Sequence, residues 1–268
     1  MQARRLTLFA LIALGIIGCA VWLITPAPVL YHGQTLDDWF AELRGHSEDP
    51  VIEKLREIGP DAVAYLADRI ETRDSFLRDR YVAVWPKLPA FVRSRMNQPM
   101  TAAAIRVKAV GALRQMGPPF TASKVGFNAL RASLKHSDND VRSRAEGALG
   151  DLGRQAKPAL PDLIKSIEKR TKTSTGHIGI NGIWAVGCIG PDAKDALPLL
   201  ESIVKQKHGR ERVYAAESVL KIGGDKAAAI AALQQALHDP DPKARREAAQ
   251  VFERIGISID DGSGPVLY

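Results

Sequence analysis

A glycine that follows an aliphatic residue or methionine recurs through most of the chain and constrains the fold more than any other feature. The spacings between successive glycines are 58, 36, 37, 33 and 33 residues, and the positions are Gly59, Gly117, Gly153, Gly190, Gly223 and Gly256. An arginine stands eleven residues before four of these glycines, at Arg106, Arg142, Arg212 and Arg245. Agreement at several offsets indicates a repeat protein, in which each unit packs mainly on its neighbours.

The unit around Gly153 shows what each repeat contains. Val141, Ala145 and Leu149 recur at helical spacing and give one apolar face. Asp138 precedes them as a candidate N-cap, and Gly153 follows as a C-terminal stop. A second apolar helix then begins near residue 160. Because one such pair cannot bury its apolar face alone, we predict an all-α fold: an α-solenoid of about five to six helical pairs.

Two segments carry a resemblance to a known repeat class. The sequences DNDVRSRAEGALGDLG (residues 138–153) and DPDPKARREAAQVFERIG (residues 239–256) resemble HEAT repeats of the short class typified by phycobilin lyases. The sequence IGPDAKDALPLL (residues 189–200) is similar to the turn and second helix of that class. The resemblance implies stacked HEAT-like helical pairs.

This resemblance covers about residues 101–256, with a degenerate copy at 51–72. Two departures stand out. Gly179 replaces the repeat arginine in the fourth copy, and residues 73–100, rich in proline and aromatic side chains, interrupt the period.

The N-terminus contains one long apolar run. Leu6–Ile24 holds no charged residue and follows Arg4 and Arg5; as a helix it would span roughly 28 Å, close to a bilayer core. The positive charge before the run favours a transmembrane signal anchor with the repeats outside the cytoplasm. Two alternatives stay open: a cleaved signal peptide of a secreted protein, and a lipoprotein signal with Cys19 as the lipidated residue.

A short motif follows this run. Residues 31–39, YHGQTLDDW, look like the Tyr-x-Gly-(Lys/Gln)-Thr-Leu-x-x-Trp motif of membrane-anchored bacterial HEAT-repeat proteins. The resemblance implies a membrane-anchored bacterial protein. Together with the charge bias around the apolar run, it leads us to expect an inner-membrane protein whose repeats face the periplasm. Thr35 is a candidate helix cap, and we interpret the motif as the N-terminal cap of the solenoid.

We therefore divide the chain into four parts. The expected order is a membrane anchor or signal segment at 1–30, a cap with a degenerate repeat and an irregular insertion at 31–100, HEAT-like repeats at 101–256, and a tail at 257–268.

The positive charge of the chain is concentrated in one stretch. The net charge is +7, and residues 80–137 contain ten Lys and Arg but no acidic residue. The candidate surface for an anionic partner is Arg93, Arg95, Lys108, Arg114, Lys124, Arg131 and Lys135. One interpretation is a solvated face whose carboxylate partners come from adjacent repeats. The other is a binding patch for an acidic protein or anionic lipid; the predicted location does not favour nucleic acid.

No motif in the sequence points to chemistry. Metalloprotease, P-loop, nucleophile-elbow and dinucleotide motifs are missing from the sequence, and the two cysteines form no CxxC pair. We therefore predict no catalytic, metal or cofactor residues. The predicted function is a non-enzymatic scaffold that binds a protein partner and is held to the membrane by residues 6–24. The alternatives are an enzyme similar to phycobilin lyases, or binding of an anionic ligand or membrane surface through residues 80–137.

Overall fold

The structure is a computed structural model that describes residues 29–44, 49–94, 96, 98–171, 179–258 and 266–267. The chain divides into two compact units, Met1–Ala41 and Glu42–Tyr268. The predicted anchor at residues 6–24 and the candidate lipidation site Cys19 lie outside the described residues. None of the helices in the described ranges is long and apolar enough to cross a membrane.

The described residues form fourteen α-helices, three 3-10 helices and two short strands. The α-helices are α1 (Leu36–Glu42), α2 (Pro50–Ile58), α3 (Pro60–Ile70), α4 (Phe76–Val84), α5 (Ala90–Arg93), α6 (Ala102–Met116), α7 (Lys124–Ser133), α8 (Asn139–Asp151), α9 (Leu160–Thr171), α10 (Ile180–Ile189), α11 (Leu197–Gln206), α12 (Gly209–Ile222), α13 (Lys226–Ala236) and α14 (Pro242–Arg254). The 3-10 helices are Trp85–Lys87, Gly153–Ala159 and Gly190–Ala196, and the strands are β1 (Ile257–Ser258) and β2 (Val266–Leu267).

The first unit, in its described part, is a tight turn followed by α1. Tyr31 and Gln34 exchange backbone hydrogen bonds of 2.8 and 3.2 Å around the turn. Thr35 caps α1, because its Oγ1 accepts the Asp38 N–H at 3.2 Å and donates to Asp38 Oδ2 at 2.6 Å. The Trp39 indole N–H donates to the Tyr31 carbonyl at 3.0 Å. The predicted capping role of Thr35 is confirmed, while the relation of the motif to membrane-anchored proteins stays a prediction.

The second unit consists of stacked helical pairs. Five successive pairs are described: α2–α3, α6–α7, α8–α9, α10–α11 and α12–α13, after which α14 packs on α12. The first helices of neighbouring pairs pack directly on one another, in the order α6, α8, α10, α12 and α14. This arrangement fits HEAT-like repeats and confirms the predicted all-helical repeat fold; the sequence did not predict the antiparallel pairing of β1 with β2.

Local chemistry sets the ends of the helices at the predicted positions. All six glycines of the repeated column have a positive φ, from 54° to 90°, a conformation that a residue with a Cβ adopts at a cost of about 1 kcal/mol. At the other end of α8, the Asp138 carboxylate accepts the Asp140 N–H at 2.8 Å. Val141, Ala145 and Leu149 are fully buried, as their spacing predicts.

Three of the four repeat arginines bind the loop directly before their own helix. Arg142 donates to the carbonyls of His136 and Ser137, the latter at 2.6 Å, and Arg245 donates to those of Asp239 and Pro240 at 2.8 and 3.0 Å. Arg212 makes the equivalent bond to the Lys207 carbonyl at 2.7 Å. Arg106 instead binds the Thr72 carbonyl at 2.7 Å, 34 residues earlier in the chain and before the insertion. All four side chains therefore satisfy backbone carbonyls between helices, three of them within their own repeat.

The loop before α8 also contains a histidine whose hydrogen bond to the backbone would be lost if its ring were protonated. The Asp138 N–H donates to His136 Nδ1 at 3.0 Å, which requires that nitrogen to be unprotonated. Burial and the nearby Arg106 charge lower the pKa of His136.

The fourth repeat lacks the arginine for a visible reason. The space beside Gly179 is occupied by the guanidinium of Arg170, which pairs with the fully buried Glu146 carboxylate. The Ser166 hydroxyl donates to the same carboxylate oxygen at 2.9 Å. A longer side chain at position 179 would displace Arg170 and leave Glu146 buried without its counter-charge, which is costly.

Ion pairs connect successive repeats, and most of them join a basic side chain to an acid later in the chain. Four Arg–acid contacts have this direction: Arg114–Asp151, Arg131–Asp162 and Arg154–Asp192 at 2.6 Å each, and Arg210–Glu247 at 2.5 Å. Arg254 of α14 instead pairs with the earlier Glu217 of α12 at 3.0 Å. Each joins residues 31 to 38 positions apart in sequence.

Candidate functional site

Close packing of the first helices creates a common solvent face on α6, α8, α10 and α12. At Gly150 of α8, a Cβ would overlap the Trp184 ring and would lie 3.1 Å from the Ala185 Cα. At Gly111 of α6, a Cβ would lie 3.1 Å from the Arg144 guanidinium. Glycine thus allows a side chain of the next helix to lie across the backbone of the previous one.

A groove of about 320 Å³ opens on this face, between α6, α8 and the segment after α1. Its apolar lining includes Leu43, Val107 and Ala112, and its basic lining consists of Arg44, Lys108 and Arg144. Apolar and cationic groups therefore meet in one concave surface, a combination suited to a ligand with an apolar body and an anionic group.

Arg144 is held at the edge of the groove by packing alone. Its guanidinium lies on Gly111, and the residue is exposed. The guanidinium makes no hydrogen bond or ion pair within the part of the chain that the structure describes. A guanidinium binds a carboxylate through two parallel hydrogen bonds, so Arg144 is suited to hold an acidic group.

Lys108 lies deeper in the same groove and is half-buried. Burial lowers the pKa of its ammonium group, and the Asp49 carboxylate partly opposes that shift. Asp49 itself is buried and accepts the backbone N–H groups of Arg44 and Val51 at 2.5 and 3.1 Å. An anion bound beside Lys108 would stabilise its charged form and restore its pKa.

Lys108 and Arg144 occupy the same position of successive repeats. Lys108 stands nine residues before Gly117, and Arg144 stands nine residues before Gly153. The residues at this position in the following repeats are Asn181, Tyr214 and Glu247. Their side chains engage one another or neighbouring groups: Asn181 donates to the Ser143 hydroxyl at 2.8 Å, and Arg210 binds Glu247. The cationic part of the face is therefore the part around α6 and α8.

The structure separates the seven residues of the predicted anionic-partner surface. Lys108 lies in the groove. Arg114 pairs with a carboxylate of the next repeat, and Arg131 and Lys135 both approach Asp162, at 2.6 and 3.6 Å. Two members lie outside the groove: Lys124 is exposed at the start of α7, and Arg93 is exposed at the end of α5. Arg95 is outside the described residues. That these residues bind an anionic partner stays a prediction.

Sequence reasoning missed two of the three groove cations, Arg44 and Arg144. Arg144 lies beyond the acid-free stretch, but its signal was present, because it follows Lys108 by 36 residues, one full repeat. Arg44 carries no comparable signal, since its place beside α6 depends on tertiary packing.

The described residues hold no cluster of three His, Cys, Asp or Glu side chains that could bind a metal ion. Cys188 of α10 is half-buried, and burial raises the pKa of its thiol. A thiol with a raised pKa is a poor nucleophile near neutral pH.

Comparisons with known proteins give similarity to solved helical structures. No family model and no curated protein matches the chain. The complex of CpcE and CpcF of phycocyanin lyase from Nostoc sp. PCC7120 is similar with 23% sequence identity and a TM-score of 0.47, over 87% of this chain and 80% of that one. An engineered protein is similar with 18% identity and a TM-score of 0.41, over 82% of this chain and 96% of that one.

The prediction that the chain is not an enzyme is wrong. The finding that overturns it is the similarity to the complex of CpcE and CpcF of phycocyanin lyase. The lack of familiar catalytic motifs therefore does not restrict the chain to a scaffold, and function has to be argued from the groove itself.

Proposed function

We propose that this protein binds a partner protein on the solvent face of α6 and α8, and that an acidic segment of the partner occupies the basic groove. The observation that carries this proposal is the pair Lys108 and Arg144, which stand at one repeat position above an apolar floor. An acidic segment with aliphatic side chains would complement both parts of the groove. Curved repeat surfaces commonly serve as such extended binding faces.

A fluorescein-labelled peptide of alternating Glu and Leu tests this proposal by fluorescence anisotropy. We expect saturable binding that weakens with salt, since exposed charges are screened within about 8 Å at physiological ionic strength. Changing Lys108 and Arg144 together to Gln should weaken binding at least about tenfold, because charge-assisted hydrogen bonds are lost.

The matched control is Lys124→Gln together with Arg93→Gln, which removes two exposed charges outside the groove. This control should bind the peptide as the unchanged protein does. Equal weakening by both double variants would show that net charge, and not the groove, controls binding.

A second candidate function is the binding and transfer of a linear tetrapyrrole, which the sequence resemblance to phycobilin lyases implies. The amphipathic groove favours it independently, because a bilin combines an apolar ring system with two propionates. Titration with biliverdin should then give a saturable change in the absorption spectrum that Lys108→Gln with Arg144→Gln removes. An unchanged spectrum at every protein concentration would exclude this candidate.

We also propose that residues 6–24 anchor the chain in a bacterial inner membrane with the repeats in the periplasm. The support is the uncharged run after Arg4 and Arg5. A reporter fused to the C-terminus should be active only in its periplasmic form, and activity of a cytoplasmic reporter would reverse the orientation.

A further inference from the structure

One segment of the second unit exposes far more apolar surface than the rest. Ten large apolar side chains are exposed among the described residues, and six of them lie between residues 76 and 96. The largest exposed fractions are 78% for Leu77, 74% for Phe76 and 69% for Phe91. We refer to residues 76–96 as the apolar lobe. A concentration of this kind marks an interaction surface, whereas single exposed apolar residues need no explanation.

The apolar lobe interrupts the repeat and has little packing of its own. α4 and α5 contain no buried residue, and α4 contacts mainly the short 3-10 helix that follows it. Within the lobe, Trp85 is buried, and the Tyr81 ring meets it edge-on with 5.8 Å between centroids. Phe76, Leu77 and Phe91, in contrast, are largely exposed to solvent.

The charges of the apolar lobe are mainly positive. Its basic residues are Arg78, Arg80, Lys87, Arg93 and Arg95, and Asp79 is its one acidic residue. Arg80 lies over the Phe76 ring at 5.7 Å. The acid just before α4, Asp74, is already paired with Arg106 at 3.2 Å. Exposed aromatic and aliphatic side chains beside arginines are the composition of a surface that inserts at a membrane interface, where cations meet anionic headgroups.

We propose that the apolar lobe docks on an anionic lipid bilayer, with Phe76, Leu77 and Phe91 inserted among the headgroups and the basic side chains bound to lipid phosphates. A bilayer fits better than a protein groove because the exposed residues occupy two short helices and the turn between them, and no concave counterpart is needed. The charge is complementary to that surface. This proposal is independent of the groove around Lys108 and Arg144.

The full chain in nanodiscs tests the proposal with a local fluorescent label. Cys19→Ser and Cys188→Ala provide the background, and NBD is attached after Leu77→Cys or Phe91→Cys. We expect the emission at both positions to shift to the blue and to rise at least about twofold when phosphatidylglycerol is added to phosphatidylcholine discs. The matched control is Gln155→Cys, an exposed position outside the lobe, whose emission should not change. Because the label reports its own surroundings, anchoring through residues 6–24 alone would leave it in water.

Removing the positive charge gives the second arm of this test. With Arg80, Lys87 and Arg93 changed to Gln, the inserted fraction should fall toward that in neutral discs, because each basic side chain near an anionic surface raises binding by roughly fivefold. Emission at Leu77→Cys that is equal in the two kinds of disc would overturn the proposal. Emission that depends on the number of chains per disc, and not on phosphatidylglycerol, would overturn it in favour of a second copy of this chain.

Discussion

The contrast between Gly111 and Gly150 gives the sharpest prediction about how the repeats pack. Both glycines lie on first helices, and both lie beneath a side chain of the next helix. Replacing either glycine with alanine stabilises its helix by about 1 kcal/mol, because alanine has the higher helix propensity. The two substitutions differ in what the new methyl group meets.

At Gly150 the new Cβ meets atoms that cannot move without shifting α10. It would lie 2.6 Å from a carbon of the Trp184 ring and 3.1 Å from the Ala185 Cα. Overpacking of this kind costs about 1–3 kcal/mol. After the propensity gain is subtracted, Gly150→Ala should lower the free energy of unfolding by up to about 2 kcal/mol.

At Gly111 the new Cβ meets the end of a flexible side chain. The nearest atom is Arg144 Nη1 at 3.1 Å, and the guanidinium can move toward solvent. Gly111→Ala should therefore raise the free energy of unfolding by about 0.5–1 kcal/mol. It should also weaken binding of the acidic peptide, because Arg144 leaves its place at the groove.

Urea unfolding of both variants, followed by circular dichroism, measures the difference directly. The midpoints can be compared if the free energy of unfolding depends on urea concentration with the same slope in both variants. We expect Gly150→Ala to be less stable than Gly111→Ala by about 1–3 kcal/mol. Equal midpoints, or a more stable Gly150→Ala, would refute the packing of α8 against α10.

Three further predictions follow from the fold. Leu163→Ala removes a fully buried side chain of α9 and should cost about 2–4 kcal/mol in a denaturant melt, whereas the exposed Lys165→Ala should cost less than about 0.5 kcal/mol. Because the pKa of His136 is lowered in the folded protein, its contribution is complete above the unfolded pKa and is lost as the pH falls through the folded one. His136→Gln should therefore reduce the loss of stability between neutral and mildly acidic pH, measured by urea unfolding at several pH values. A truncated chain that begins at Tyr31 should be soluble and strongly helical; its recovery in the membrane fraction would contradict an anchor in the removed residues.

The repeat fold could be predicted because its determinants are local and periodic. A glycine stop and an aspartate cap act within one repeat, and so does the arginine that binds the loop before its own helix in three of the four copies. For example, Arg142 binds carbonyls only five and six residues away. Such contacts recur at fixed offsets, so they leave columns in the sequence.

The ion-pair partners could not be predicted from the sequence in the same way, because charged side chains pair with residues of other repeats. Arg114 and Arg131 lie in a stretch without acidic residues, yet their carboxylates stand 37 and 31 residues later. A stretch without acidic residues in sequence can therefore still lie beside carboxylates of other repeats in the folded protein. The groove depends on the same long-range packing, which brings Arg44 beside α6.

The ion pairs between repeats have a consequence for how the array can change. Four of them join an arginine in one repeat to an acid in the next, and Arg254 joins an acid in the preceding repeat. An exposed pair adds only about 0–1 kcal/mol, so its larger effect is on which repeats can be neighbours. Exchanging, duplicating or deleting one repeat would bring together units whose charges do not match. The contacts between repeats therefore specify the order of the units, and the repeats are not interchangeable modules.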